Sequence, residues 1–143
     1  MGTAVAGYAG LVFKHAGYPT VRYISGLTVH DEAFIHGRWV GRYWQGAGFV
    51  EPERLLGWIE KAAHVPRETA GLDLAAFGLE VDGQSLHFGW ELVGMDEVPT
   101  SSGSRHAVVE LRSSIRPVTV QVHTEVDGTG FLTRWLTVTN TGP

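Results

Sequence analysis

An antiparallel β-sandwich with a single added helix is the fold class that this sequence predicts, and three observations predict it. Runs of β-branched and aromatic residues recur, as in VTVQVHTE at 118–125 and FLTRWLTVTN at 131–140. Such side chains fit a pleated, half-buried surface better than a helix. Glycine-bearing turn signals separate the runs, among them Asp82-Gly83 and Asp127-Gly128-Thr129-Gly130, and these join antiparallel neighbours. Helical spacing of apolar residues appears convincingly only in PERLLGWIEKAAH at 52–64.

Composition narrows the class further. A chain of 143 residues encloses one core, so residues 1–143 are expected to form a single sandwich domain or the N-terminal part of one. Hydrophobic residues make up 43% and charged residues 18%, which is globular and poorer in charge than the usual quarter or so. The net charge is −4 with no cluster of Lys or Arg, which argues against nucleic acid or an anionic membrane as partner. No cysteine is present, so neither a disulfide framework nor a thiolate metal site can form. The N-terminal stretch has no basic region before its apolar residues and is interrupted by Lys14. Neither a signal peptide nor a membrane span is therefore expected, and the cytoplasm is the default location.

Taken in order, residues 3–15 read as an irregular first strand weakened by glycine. Residues 18–30 read as one strand broken at Gly26 or as two short ones. Residues 33–44, AFIHGRWVGRYW, are expected to be one strand. Its alternation places Ile35, Gly37, Trp39, Gly41 and Tyr43 on a buried face and His36, Arg38, Val40, Arg42 and Trp44 on the other. The second face sets an indole beside guanidinium groups, a composition suited to stacking on a sugar and donating hydrogen bonds to its hydroxyls. Trp44, Arg42, Arg38 and His36 are therefore the candidate carbohydrate-binding residues. The alternative is that Trp44 caps a hydrophobic edge and the arginines are solvated.

The helix at 52–64 begins with Pro52 and Glu53, ends with Lys61 and His64, and is stopped by Pro66, in keeping with its dipole and with proline's missing donor. Leu55, Leu56, Ile59, Ala62 and Ala63 supply its apolar stripe. Residues 77–81 and 85–93 form the next expected hairpin, with Leu86, Phe88, Trp90 and Leu92 inward. A loop follows at 95–104, then a strand at 106–112 and the final hairpin at 118–140. In the last strand Leu132, Arg134, Leu136 and Val138 share one side, and Phe131, Thr133, Trp135, Thr137 and Thr139 the other. With apolar groups on both sides, Trp135 is expected to be a buried structural residue. Arg134 must then reach a carboxylate, a carbonyl or water.

The seven histidines never form an i, i+4 helical pair with a glutamate, so no metal ligands and no cofactor are assigned. Asp31 and Glu32, adjacent on a strand, would point to opposite faces and cannot flank one glycosidic bond. A turn is the expected setting for them. No catalytic residue is assigned.

The run RHAVVELRSSIRPVTVQVHTEVDGTGFLTRWLTVTNTG at 105–142 resembles the N-terminal β-sandwich of melibiase-type α-galactosidases, glycoside hydrolase family 36. The ordered set His106, Leu111, Arg134, Trp135 and Asn140 carries the likeness, which covers the last third of the chain. The resemblance implies a supersandwich that continues past this strand. It also implies a parent enzyme that cleaves terminal α-galactosides with retention through two carboxylates. Those carboxylates stand on a (β/α)₈ barrel of about 250 residues, for which this chain has no room. The family's sandwich supports subunit association, so a homo-oligomer is expected, and it can border a neighbouring active site, which would give Trp44 its function. A free-standing carbohydrate- or ligand-binding sandwich is the alternative. A third reading, an aldose-epimerase-like enzyme, needs His and Glu converging in one cleft of a larger supersandwich.

Overall fold

The computed structural model describes residues 7–46, 74–100 and 102–143; the helix expected at 52–64 lies outside them. The described residues form an antiparallel β-sandwich, as the sequence predicts. Sheet one runs in the order β1 (Ala9–Lys14), β2 (Thr20–Ser25), β3 (Thr28–Ile35), β4 (Arg38–Gly46), β5 (Leu74–Ala75). Sheet two has the order β11 (Leu132–Asn140), β10 (Val118–Val126), β9 (Arg105–Ser113), β8 (Trp90–Val98). A small hairpin, β6 (Glu80–Val81) and β7 (Gln84–Ser85), stands apart from both.

Local turn chemistry sets the meander of sheet one. Gly26 takes φ 58° between Ser25 and its partner Thr28, so residues 18–30 resolve into two strands joined by a two-residue turn with glycine first. His36 and Gly37, with φ 50° and 75°, form a second two-residue turn between Ile35 and Arg38. Two successive residues of positive φ match the twist of a hairpin, so residues 33–44 are not one strand but the end of β3 and most of β4. Asp31 and Glu32, expected in a turn, lie in mid-strand on β3 and face opposite ways. Asp82 and Gly83, φ 49° and 79°, close the β6–β7 hairpin in the same manner.

The sheets stack with β1 over β9 and β2 over β10. Val21 and Tyr23 from β2 and Trp39 from β4 meet Ala107, Val109 and Leu111 of β9 and Val118, Val120, Val122 and Val126 of β10. Strand β10 shows the cleanest alternation in the chain, buried at every valine and at Thr124 and half-buried between, which is what a sheet with one covered face requires. Trp90 closes one end, donating from Nε1 to the Leu86 carbonyl at 3.2 Å and packing edge-on against Phe77. The other face of sheet one is buried too. There Arg22 pairs with Asp31 beside Ile24, Val29, Ala33, Ile35 and Val40.

Three expectations are corrected. Phe88 is exposed rather than inward, because β8 starts only at Trp90 and runs on to Val98 through residues expected as loop. Residues 86–89 are irregular and do not alternate. Trp135 is not in the core: it lies on the outer face of β11, 39% exposed, with its ring stacked on His123 at 5.0 Å. The inner positions of β11 past Arg134, namely Leu136 and Val138, are 36% and 49% exposed, so neither side of the second half of this strand is covered.

Two substitutions test this packing. Leu111→Ala, at a fully buried position, is expected to cost about 2–5 kcal/mol in urea unfolding. Gly128 has φ 87°, and a Cβ there would collide with the Gly7 carbonyl. Gly128→Ala should therefore cost more than about 1 kcal/mol, and more than Gly83→Ala, which carries the same left-handed backbone strain at φ 79° but meets no atom.

Candidate functional site

Pairing residues face the same side of an antiparallel sheet, so the register identifies the inner row of sheet one as Tyr23, His30, Glu32, Phe34 and Trp39. Asp31 pairs with Tyr43 and Glu32 with Gly41, leaving Arg42 as the extra residue of a β-bulge. One inserted residue moves everything beyond it to the other face. Trp44, on the outer side by simple alternation from Arg38, therefore pairs with His30 and joins the inner row.

Glu32 is the centre of this row and is almost completely buried. Arg134, opposite Thr124 on sheet two, reaches across the sandwich and grips both carboxylate oxygens in a two-pronged pair. It also donates to Thr124 Oγ1 from Nε at 3.1 Å and Nη2 at 2.7 Å. Trp39 donates its indole N–H to Glu32 Oε1 at 3.2 Å, and His30 Nε2 lies 3.5 Å from Oε2. Burial pushes the Glu32 carboxyl up. The polar contacts of His30 and Arg134, with the guanidinium charge, outweigh it and hold the group down from an ordinary 4.5 to about 2. Glu32 is consequently a fixed anion, unable to carry a proton at neutral pH.

Burial, and after it the Glu32 charge, raise the Tyr23 hydroxyl well above its ordinary range. The group feels Glu32 and Thr124 electrostatically yet completes no hydrogen bond of regular geometry, and the Arg134 guanidinium lies over its ring at 5.6 Å. Above this charged floor the rings stack outward. Tyr23 and His30 are parallel at 6.0 Å, and His30 and Trp44 at 3.8 Å. At the opposite end of β4 from the buried Trp39, Trp44 is left 64% exposed. The site is thus an indole with one face on His30 and the other open, beside a neutralised ion pair.

The four candidate carbohydrate-binding residues do not converge. Trp44 ends the inner row, stacked on His30. Arg42 sits in the bulge behind it. Arg38 pairs with Ile35 on the outer face at the far end of β4, with its guanidinium 5.9 Å from the Phe88 ring. His36 is in the hairpin turn, edge-on to Tyr18 at 5.9 Å. The residues brought to Trp44 instead are His30, Glu32 and Arg134. Only the requirement that Arg134 find a partner hinted at this grouping. Among the described residues no three of His, Asp and Glu gather as a metal site.

Comparison with protein-family models, with curated proteins and with solved structures finds no match for this chain.

The Glu32 contacts have a defined pH signature. A carboxyl depressed in the fold contributes stability that is complete above about pH 5 and is lost as pH falls toward about 2. Denaturant midpoints measured across that interval should fall more steeply for the natural protein than for Glu32→Gln, whose side chain cannot titrate. Parallel slopes would show that the carboxyl is not held down by its neighbours.

Proposed function

We propose that this chain is the non-catalytic N-terminal β-sandwich of an α-galactosidase-like retaining glycoside hydrolase, a cytoplasmic protein of carbohydrate metabolism. In this reading the sandwich supports assembly and borders the sugar site of the parent enzyme, and copies associate as a homo-oligomer. The observation that carries it is the division of labour between the buried carboxylates and the exposed indole. Both buried carboxylates among the described residues, Asp31 and Glu32, are taken by arginines, whereas the open group is an indole. A retaining glycosidase needs one carboxyl able to donate a proton and a second as nucleophile about 5–5.5 Å away. Glu32, held at about 2, suits neither part of the proton cycle. An indole face with polar groups at its margin suits the apolar face and the hydroxyls of a galactoside.

The resemblance of residues 105–142 supports the family, and the fold gives two of its residues separate work. Arg134 joins the sheets, and Trp135 lies on the outer surface. The same exposed indole favours a second reading, a free-standing carbohydrate- or ligand-binding sandwich, since Trp44 needs no enzyme to stack on a sugar.

Incubation of the purified chain with a chromogenic α-galactoside should release no product. Turnover abolished by substitution of an acidic residue would overturn the non-catalytic role. Titration with an α-galactosyl oligosaccharide should perturb the Trp44 indole N–H resonance with millimolar affinity, and Trp44→Ala should abolish saturable binding without lowering the melting temperature. Absence of any perturbation at Trp44 would remove the sugar contact from both readings.

A further inference from the structure

Strand β11 is an edge of sheet two along its whole length of nine residues. It pairs with β10 in unbroken register from Val118↔Asn140 to Val126↔Leu132, so among the described residues one row of its N–H and C=O groups has no strand beside it. Natural edges are usually guarded by a lysine, a proline, a bulge or an inward charge that makes a second strand unwelcome. This strand, LTRWLTVTN, has no lysine, no proline and no bulge. Its one charge, Arg134, is turned across the sandwich and neutralised by Glu32. The exposed apolar residues Leu136 and Val138 lie on its inner face, and the outer face carries Trp135, Thr137 and Thr139.

We infer that this edge pairs with the same edge of a second copy of the chain, antiparallel and about a two-fold axis through Thr137. The inference rests on the reading that copies associate, and names the surface and its register. A two-fold axis normal to the sheet keeps like faces together, so it must pass through a residue rather than between two. Centred on Thr137, it sets Leu136 against the second copy's Val138, and Arg134 against its Asn140. On the outer face Trp135 meets Thr139, and Thr137 meets itself. Each apolar inner residue then covers another, and the arginine meets an amide. Centred on Leu136, the axis would set Arg134 against Val138 and Leu132 against Asn140, pairing polar with apolar at both places. Charge also permits the contact, since the paired segment brings no uncompensated like charges together. Seven paired positions on each copy bury less than the ~800 Å² per partner of stable complexes, so the dimer is a weak one in the micromolar range.

The test uses the whole chain, which has no native cysteine. Sedimentation across a concentration series should show a monomer–dimer equilibrium. Thr137→Lys should weaken it about tenfold or more, while thermal unfolding of the monomer changes only by the loss of the exposed contact between the Thr137 hydroxyl and His123 Nε2 at 3.1 Å. Under mild oxidation Thr137→Cys should form a covalent dimer and Leu136→Cys should not. Preferential cross-linking of Leu136→Cys overturns the register. A dimer indifferent to Thr137→Lys and not cross-linked by Thr137→Cys overturns the surface but leaves self-association standing. A monomer at every concentration removes both.

Discussion

The ion pair between Glu32 and Arg134 is the contact on which the arrangement of the two sheets depends. Its members are 102 residues apart in sequence and belong to opposite layers, and neither can be left alone. A buried carboxylate without its partner carries a penalty of several kcal/mol, whereas the pair itself adds little over well-packed apolar groups. Its contribution is therefore to position more than to net stability. Valine against valine tolerates a slip of one sheet over the other. A guanidinium that must span the sandwich to one carboxylate, while also donating to Thr124, does not.

The place of the exposed indole beside this pair follows from one inserted residue. Strand β4 buries Trp39 between the sheets at one end and leaves an inner-row residue exposed at the other. The bulge at Arg42 decides that this is Trp44. His30, fixed between Glu32 below and the indole above, transmits the charged floor to the exposed ring. Leu136 and Val138, beyond Arg134 on β11, are exposed as well.

Much of this fold was legible in the sequence because its signals are local. The valines of β10, the Asp-Gly turn at 82–83 and the glycine loop at 127–130 depend on neighbours two to five residues away. The His36-Gly37 turn was missed because histidine at positive φ is uncommon and the flanking apolar residues kept an unbroken alternation across it. The bulge left no mark that alternation can register, and its effect was to send Trp44 to the opposite face from the one expected. Trp135 was misplaced for a related reason. Both sides of β11 look apolar, and which side is covered is decided by the other sheet. That Arg134 needed a partner was evident, but nothing local distinguished Glu32 from the other acidic residues. Trp44 could thus be singled out as an unusual exposed indole, while His30, Glu32 and Arg134, which give it a site, could not.

A double-mutant cycle on the cross-sheet pair tests the central claim most directly. Urea unfolding of the natural protein, Glu32→Gln, Arg134→Met and the double variant isolates the coupling between the two side chains. Each single change strands a buried group and should cost about 3–5 kcal/mol, with the double variant costing far less than their sum. Additive losses from the two single changes would contradict the account, because they would show that the two residues stabilise the sandwich independently.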